Sequence, residues 1–482
     1  MGEFGDSLPL SFLQHMGELL DEQLEAFLNS LSEPSRRGIR LNPLKLGCND
    51  SQFADDKIPQ YALLENIGPL TPVPWCREGY LYPNEVRPAK NIMYSAGLFY
   101  VQEPSAMCPA AVLNPQPGQL VLDICAAPGG KSVQLAGLLQ GQGLLVSNDA
   151  SFSRCKPLAI NLELAGVTNA VVIAEMPARL AKRFSEYFDC ILIDAPCSGE
   201  GMFRRDPAAI RAYAANGPDV CIPQQLDILH NAALMLKPGG RMVYSTCTFN
   251  LLENEGVIAE FLHTHPGFEL LTIDHEGLGL SPGLNTNFSQ HKLTRTARIW
   301  PHISPGDGHF IALIGKAGSS CGNNTTSEYE DHTKDPGRGS IKPPEAFIEF
   351  YNSHISDMFN FTTGIFHQHE NSLFYQPVNL DLKGLRVVRN GWHIGEIAKG
   401  RFTPSHALAM GITKNQARHA INLPEADAKR YLKGESIQAP VNCTSMPGKP
   451  WVLICHNSYP LGWARLVNGR LKNQLPPSSL RV

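Results

Sequence analysis

The chain has 482 residues, which is too many for one hydrophobic core and predicts two to four domains. Its composition, 43% hydrophobic and 18% charged, is that of ordinary globular proteins, and the absence of any run of 18 apolar residues argues against a membrane span. The formal net charge of −4 excludes a strongly basic chain, so any surface that binds nucleic acid must be local. Residues 1–20 lack the basic-then-apolar pattern of a signal peptide, which favours a cytoplasmic location.

The N-terminal region, residues 1–107, is interpreted as a smaller lobe. Residues 9–32 place apolar side chains at helical spacing. The basic cluster from Arg36 to Asn42 precedes a predicted strand, and its spacing favours a solvated turn over a phosphate contact. Residues 46–90 are rich in proline and irregular.

A strand, a tight turn and a helix follow one another at residues 120–140. Leu120 to Ile124 predict a buried strand, and a helical pattern begins at Ser132. Between them, Gly129 and Gly130 allow a ligand to approach the backbone beside free helical N–H groups. The spacing is neither Gly-x-Gly-x-x-Gly nor a P-loop, which favours S-adenosylmethionine (SAM) over a dinucleotide. An ordinary strand–turn–helix corner is the alternative.

Strands and helices then alternate. Strands are predicted at 119–124, 144–148, 170–174, 189–194, 240–246 and 309–315, and helices at 132–140, 153–165, 224–236 and 252–264. This alternation predicts an α/β fold with a doubly wound parallel sheet, whose ligands bind at the carboxyl ends of the strands. Polar or reactive residues follow the predicted strand ends at 125–131, 148–149, 174–175, 194–197 and 245–247.

Asp149 follows the second of these strands, about 20 positions after the glycine turn, where an acid can accept both ribose hydroxyls of an adenosine ligand. A helix N-cap is the alternative role for this residue.

Twelve cysteines are spread along the chain, and no two form a C-x-x-C pair. The spacing does not predict a zinc site, and no metal is expected. Most cysteines of a cytoplasmic chain should be reduced and packed as small apolar residues. Cys197 and Cys247 differ, because each follows a predicted strand at one edge of the sheet, and Ala195-Pro196 predicts an extended exit toward the cleft.

Two thiols beside a methyl donor suit methylation of a ring carbon such as carbon 5 of cytosine. A thiolate that adds at carbon 6 makes carbon 5 electron-rich enough to take the methyl group. Asp194, if protonated or bridged by water, could hydrogen-bond the ring nitrogen. Lys131 and Arg204 or Arg205 are candidate sources of the positive charge that favours a thiolate.

The motifs resemble those of the Nop/Sun family of RNA cytosine-5 methyltransferases, and in particular its bacterial small-subunit rRNA branch, the RsmF-like enzymes. The stretches that carry the resemblance are Asp-Ile-Cys-Ala-Ala-Pro-Gly-Gly-Lys (123–131), Asp-Ala-Pro-Cys-Ser-Gly-Glu-Gly-Met-Phe-Arg (194–204), Tyr-Ser-Thr-Cys-Thr-Phe-Asn-Leu-Leu-Glu-Asn-Glu (244–255), and residues 40–42, 102–107, 399–407 and 462–473. The resemblance covers nearly the whole chain.

The resemblance implies a role for each site residue. Cys247 corresponds to the nucleophile, Cys197 to the cysteine implicated in product release, and Asp194 lies in both the catalytic and the cofactor site. The implied SAM contacts are Cys125, Ala126, Ala127, Pro128, Gly129, Gly130, Lys131, Asp149, Glu175 and Asp194. Glu175 stands where the family often has Asp-Gly, and it is assigned to the adenine.

The expected architecture is a Rossmann-like SAM-dependent methyltransferase core between an N-terminal α/β lobe and a C-terminal part. The predicted divisions are an RNA-binding lobe at 1–107, the methyltransferase domain at 108–316, a polar linker at 317–344, a small α/β region at 345–400 and a β module at 401–482. Asn468-Gly469 predicts a hairpin in the module, and the resemblance makes it a PUA-like RNA-binding domain.

The expected partner is RNA, most simply small-subunit rRNA, and the protein is expected to be a monomer. Two alternatives stay open at this stage. One is the same chemistry on tRNA, and the other is a catalytically silent RNA-binding assembly factor.

Overall fold

The computed structural model describes residues 8–47, 67–213, 215, 217–285, 288, 292–318, 341–356, 361, 364–440 and 450–480. Most of the predicted linker, and Cys48, Cys321 and Cys443, lie outside these residues. None of the helices in these ranges is long and apolar enough to cross a membrane.

The N-terminal lobe combines short helices with an antiparallel sheet. Its elements are α1 (Leu10–Leu20), α2 (Leu24–Ser32), β1 (Arg37–Leu41), α3 (Pro43–Leu46), β2 (Thr71–Val73), β3 (Cys76–Tyr82), α4 (Ile92–Ser95) and β4 (Phe99–Gln102). The strand order is β2-β3-β1-β4. The helical pattern of 9–32 forms two helices because Asp21 adopts a φ of 45° and interrupts it. The pair packs through Phe12 and Phe27 against Phe203 and Phe249 of the next domain.

The interpretation of Arg36 to Asn42 as a solvated turn is wrong. Strand β1 lies between β3 and β4, so Arg40 and Asn42 are buried, each with 3% of its surface exposed. Arg40 Nη2 donates to the carbonyl oxygen of Gly130 at 2.9 Å, and Asn42 Nδ2 donates to that of Ala165 at 2.8 Å. Strand β1 therefore contacts the glycine turn through Arg40 and stabilises it.

The central domain contains the doubly wound sheet. Its elements are α5 (Cys108–Leu113), β5 (Leu120–Asp123), α6 (Gly130–Leu139), β6 (Leu144–Asn148), α7 (Phe152–Leu164), β7 (Ala170–Ile173), α8 (Pro177–Ala181), β8 (Phe188–Asp194), α9 (Pro207–Tyr213), α10 (Pro218–Met235), β9 (Leu236–Thr246), α11 (Val257–Thr264), β10 (Phe268–Leu270), β11 (Ser281–Pro282), β12 (Ala297–Ile299) and β13 (His309–Lys316). The parallel core has the order β9-β8-β5-β6-β7.

This strand order positions a ligand site. Leu122 packs into the cluster with α8, α10 and α11, and Val121 packs into the cluster with α5, α6 and α7 on the opposite face. Because the chain winds in opposite directions from β5, the sheet has a topological switch point between β5 and β8. The residues after Asp123 and at Asp194 flank this point.

The α/β doubly wound fold is confirmed, with one difference at its edge. Strand β13, predicted as part of a parallel sheet, runs antiparallel to β9. The reason is its connection. Strand β12 is antiparallel to β13 and ends at the edge of the sheet where β9 also ends, so β13 begins at that edge and runs in the opposite direction.

The C-terminal part contains two further sheets. Its elements are α12 (Glu345–His354), β14 (Ile365–His369), β15 (Ser372–Gln376), β16 (Val387–Arg389), β17 (Trp392–Ala398), β18 (Arg401–Pro404), α13 (His406–Gly411), β19 (Ala420–Asn422), α14 (Glu425–Leu432), β20 (Ile437–Gln438), β21 (Trp451–His456), β22 (Tyr459–Val467) and β23 (Arg470–Asn473). The sheet orders are β14-β15-β17-β18 and β19-β21-β22-β23-β20, while β16 pairs with β7 of the central sheet. The hairpin predicted at Asn468-Gly469 is confirmed between β22 and β23.

The division predicted between residues 400 and 401 needs correction. Strands β17 and β18 pair across Lys399-Gly400 as a hairpin, so a cut at this point would split one sheet. We propose that the first C-terminal region extends through α13. The other divisions stay predictions.

Candidate active site

The two thiols singled out from the sequence lie together. Strands β8 and β9 are parallel neighbours, so the segments that follow them leave the sheet at one edge. The Sγ atoms of Cys197 and Cys247 are 3.5 Å apart. The hydrogen bond with Cys247, together with burial, raises the pKa of Cys197 well above its usual value. The raised pKa favours the neutral thiol at Cys197, which can donate a hydrogen bond to the Cys247 sulfur.

The remaining cysteines behave as expected for inert residues. Among the nine free cysteines that the structure describes, only Cys125, Cys197 and Cys247 are partly exposed. All three follow strands at the carboxyl edge of the central sheet, which separates them from the buried thiols.

A close backbone contact joins the two thiol-bearing loops. The amide of Gly201 donates to the carbonyl oxygen of Cys247 at 2.8 Å. A β-carbon at Gly201 would lie 2.8 Å from that oxygen, so only glycine fits here without a shift. The contact fixes the distance between the Cys197 and Cys247 loops.

A buried carboxylate, Glu253, also links the two thiol-bearing loops, and the sequence analysis did not identify it. Glu253 is fully buried and accepts hydrogen bonds from Ser198 N and from Gln225 Nε2, both at 2.9 Å. It also accepts one from the Ser198 hydroxyl. Glu253 lies in a π-helical turn at Leu252–Gly256, a local geometry often found at functional sites.

Lys131 and Asp194 form an ion pair across the switch point. Lys131 Nζ is 2.8 Å from Asp194 Oδ2, and His309 Nε2 is 3.6 Å from Asp194 Oδ1. Burial alone would raise the pKa of Asp194, but Lys131 and His309 lower it far below its ordinary value. The lowered pKa favours a carboxylate at Asp194 over the predicted option of a protonated side chain.

His309 is a rim residue that the sequence reasoning missed. A strand that runs antiparallel to its neighbours begins at the edge where they end. The first residue of β13 thus lies beside the carboxyl ends of β8 and β9. A histidine at the start of a predicted strand was the available signal. Because the strand was predicted to be parallel, its first residue was expected at the amino edge of the sheet and not at the carboxyl edge.

Of the predicted sources of positive charge, only Lys131 lies beside the thiols. Burial would lower the pKa of Lys131, but Asp194 and, more weakly, Cys247 raise it. Arg204 instead forms a buried ion pair with Asp307, and Arg205 Nη1 is 3.8 Å from the same carboxylate.

Asp149 and Glu175, the other two predicted acids, follow β6 and β7. Asp149 Oδ1 accepts from Ser151 N at 2.9 Å, and its Oδ2 is 3.3 Å from Arg154 Nη1. Glu175 Oε1 accepts from the amide of Arg386 at 2.8 Å, just before β16. Both carboxylates thus have protein partners in addition to any ligand.

The turn at 125–131 and its surroundings fit SAM, which is a cation with a ribose. Helix α6 starts without a side-chain cap, which leaves its first N–H groups free. Asp123 Oδ1 is buried without a hydrogen bond among the described residues. Burial and the charges of Asp123, Asp194 and Asp149 raise the pKa of Cys125, so this rim favours a cationic ligand.

A solved methyltransferase homologue from Pyrococcus horikoshii shares this fold with a TM-score of 0.54 and 28% identity, over 66% of this chain and 99% of the other. The doubly wound sheet and its acidic, glycine-containing rim define a SAM-dependent methyltransferase.

Family models match along the chain. They are 16S rRNA methyltransferase RsmB/F at 110–315, the RsmF N-terminal domain at 8–104, the first RsmF C-terminal domain at 349–412 and the RsmF PUA domain at 418–481. A relative from Shewanella loihica, "Ribosomal RNA small subunit methyltransferase F", is 31% identical over 95% of this chain and 92% of its own length. The protein of that name from Shewanella amazonensis is 32% identical over 94% and 93%. The chain belongs to the RsmB/F family of 16S rRNA methyltransferases.

Proposed function

We propose that this enzyme methylates carbon 5 of a cytosine in 16S rRNA through a covalent cysteine–cytosine intermediate. The observation that carries the proposal is the pair of thiols, Cys197 and Cys247, with sulfur atoms 3.5 Å apart at the SAM-facing edge of the sheet. Methylation of an oxygen or an exocyclic nitrogen needs no thiol. The names of the relatives support rRNA as the substrate.

The chemistry assigns different tasks to the two thiols. Cys247 adds as a thiolate to carbon 6, which forms a C–S bond and makes carbon 5 nucleophilic. Bound SAM would supply an electrophilic methyl group to carbon 5, with cleavage of its S–CH3 bond and S-adenosylhomocysteine as the leaving group. A base then removes the proton from carbon 5, the C–S bond breaks, and the thiolate of Cys247 is restored.

Electrostatics support Cys247 as the nucleophile. A thiolate forms readily only near positive charge or hydrogen-bond donors. Lys131 interacts with Cys247 electrostatically, and a neutral Cys197 thiol is placed to donate to its sulfur. Cys197 is also close enough to exchange a proton with the reacting sulfur, which supports the role in product release.

Asp194 acts as an anion in this scheme. We propose that its carboxylate accepts a hydrogen bond, directly or through water, from the protonated ring nitrogen or the amino group of cytosine. Lys131 holds Asp194 at the point where β8 ends, so the carboxylate is positioned before substrate binds.

The proposed SAM contacts follow the carboxyl ends of β5, β6 and β7. Residues 125–131 contact the methionine part, Asp149 accepts from the ribose hydroxyls, and Glu175 contacts the adenine. At Glu175 the adenine would share the carboxylate with the amide of Arg386.

The test is the identity of the methylated nucleoside. Purified protein is incubated with labelled SAM and, separately, with 16S rRNA, small ribosomal subunits and tRNA, and the RNA is digested to nucleosides. We expect 5-methylcytidine from 16S rRNA, free or in subunits, and none from tRNA. Cys247→Ala abolishes it, and the matched control Cys190→Ala, a buried thiol on β8, retains it.

Three results would contradict the proposal. Label in another nucleoside would refute the cysteine chemistry, and label only in tRNA would refute the substrate. Binding of rRNA without any transfer would indicate a silent assembly factor.

A further inference from the structure

We propose that four cations, Lys90, Arg87, Arg37 and Arg205, form a track that binds the RNA backbone and leads it from the C-terminal module to the thiol pair. We call these residues the basic track. The inference rests on the proposed function, because it concerns the path of the same substrate.

The track begins in a groove between the N-terminal lobe and the C-terminal module. The groove has a volume of about 500 Å³ and is lined on the lobe side by Arg87 and Lys90. Lys429 and His456 of the module line the other side. Arg87 and Lys90 are exposed, and Arg87 Nη1 donates only to the backbone oxygens of its own loop, those of Asn84 and Val86.

The next step is a cross-strand pair. Arg37 on β1 lies directly opposite Tyr82 on β3 in the antiparallel register, so the two side chains share one face of the sheet. The Arg37 guanidinium lies within hydrogen-bonding reach of the Tyr82 phenol. Burial raises the pKa of Tyr82, and the guanidinium groups of Arg37, Arg205 and Arg87 oppose that rise. Three track residues therefore lie near enough to one phenol to interact with it electrostatically.

The last step reaches the thiol loops. Ser35, two residues before Arg37, donates its hydroxyl to Asp307 at 2.8 Å, and Arg205 Nη1 is 3.8 Å from the same carboxylate. Arg205 lies in the same connection between β8 and α9 as Cys197. The track thus connects the groove with the loop that bears one of the two thiols.

Charge decides what this surface binds. No carboxylate of the described chain lies within ion-pair distance of Arg37, Arg87 or Lys90, although the protein as a whole has a net charge of −4. Acids do occur nearby, since Glu425 pairs with Lys429 at 2.6 Å and Glu85 lies in the Arg87 loop. Three such cations and Arg205, which shares Asp307 with Arg204, match the regular negative charge of a nucleic-acid backbone.

The test is the salt dependence of RNA binding. The variant Arg87→Gln/Lys90→Gln removes two exposed, unpaired cations, so its fold should be retained. For single-stranded RNA, loss of two phosphate contacts lowers the slope of log affinity against log salt by about 1.4, and weakens binding roughly 25-fold at 0.1 M salt. The probe is 16S rRNA, with S-adenosylhomocysteine present to prevent turnover. Arg37→Gln should lower the slope by about 0.7.

The control is Lys182→Gln/Lys292→Gln, which removes two exposed lysines outside the track. We expect the track variant to raise KM for RNA and to retain kcat at saturating RNA. An affinity and slope equal to those of the control would overturn the proposal, as would a loss of kcat without a change in affinity. If the wild-type protein does not methylate rRNA, the proposed function fails; if it does and the track variants bind normally, only the track fails.

Discussion

At the scale of single residues, Asp123 has the least favourable environment at the SAM rim. The side chain is fully buried at the end of β5, and one oxygen accepts from the Ser132 hydroxyl at 2.7 Å. The other oxygen has no partner among the described residues. Burial raises the pKa of Asp123 to about 7, so ionisation of this carboxyl opposes folding in the absence of ligand.

The pH dependence of stability follows from this pKa. The unfolded chain loses the Asp123 proton near pH 4 and the folded protein near pH 7, so stability falls as pH rises between these values. The variant Asp123→Asn has no ionisable group at this position, so this decrease in stability does not occur in it. The stability of the variant relative to wild type should increase by about 1 kcal/mol per pH unit from pH 4 to 7 and stay constant above.

Denaturant unfolding of both proteins without SAM, from pH 4.5 to 8.5, measures this difference. Parallel curves for the variant and wild type would contradict a raised pKa at Asp123.

Residue roles were predictable where they follow from strand ends, and not where they depend on three-dimensional neighbours. Cys197 and Cys247 could be paired from the sequence because their strands were recognised. The ionised state of Asp194 could not, because it is set by Lys131 and His309. His309 belongs to a strand whose direction the local sequence does not specify.

At the scale of elements, the site depends on two loops held at a fixed distance. Glu253 in the π-helical turn binds the Ser198 amide and hydroxyl, and Gly201 binds the backbone of Cys247. Neither residue touches substrate in this account. Both act by positioning the thiols.

We expect Glu253→Ala to slow methyl transfer about 100-fold, because it removes the oxygen that accepts from both Ser198 N and Gln225 Nε2, and the Cys197 loop then shifts. The affinity for SAM should not change. Single-turnover kinetics and calorimetric titration with SAM separate the two effects. The control is Glu260→Ala, which removes an exposed acid on α11.

A purely structural role for Glu253 would predict a different result, in which stability and SAM affinity fall together while the rate per folded molecule is unchanged. Methyl transfer at the wild-type rate would likewise contradict the positioning role.

The element order of the central domain was predictable, because buried parallel strands appear as continuous apolar runs. The N-terminal sheet was not. Arg40 and Asn42 are polar residues whose hydrogen-bond partners include the backbone oxygens of Gly97, Gly130 and Ala165, which are distant in sequence. The periodicity of apolar residues in a sequence does not identify such distant partners.

At the scale of the whole molecule, the C-terminal part is joined to the methyltransferase domain by buried charges. Glu163 on α7 lies 2.8 Å from His406 Nδ1 and 3.4 Å from Arg389 Nη1. The N-terminal sheet and the C-terminal module also share one apolar cluster, which contains Ile39 and Val452. The flanking regions therefore form a continuous body around the catalytic domain.

Removal of Glu163 should weaken this connection. Glu163→Ala leaves the largely buried Arg389 without its carboxylate and should lower the free energy of unfolding by about 3 kcal/mol. Glu425→Ala, which breaks the exposed pair with Lys429, should cost less than about 1 kcal/mol. Urea unfolding followed by tryptophan fluorescence compares the two variants. Equal losses would contradict a structural role for the buried group.

Whole-molecule arrangement was the least predictable level. Changes in composition along the chain predicted several separate regions. The pairing of β16 with β7 and the hairpin across Lys399-Gly400 depend on contacts that no local pattern specifies.

The central claim is that Cys247 bonds to the nucleobase and Cys197 releases it. The most direct measurement is a denaturing gel of the enzyme with SAM and 16S rRNA, comparing the two alanine variants. Cys197→Ala should accumulate a covalent RNA–protein complex. Cys247→Ala should form none, even with 5-fluorocytosine in the RNA. A covalent complex with Cys247→Ala, or normal turnover without a complex in Cys197→Ala, would contradict the account.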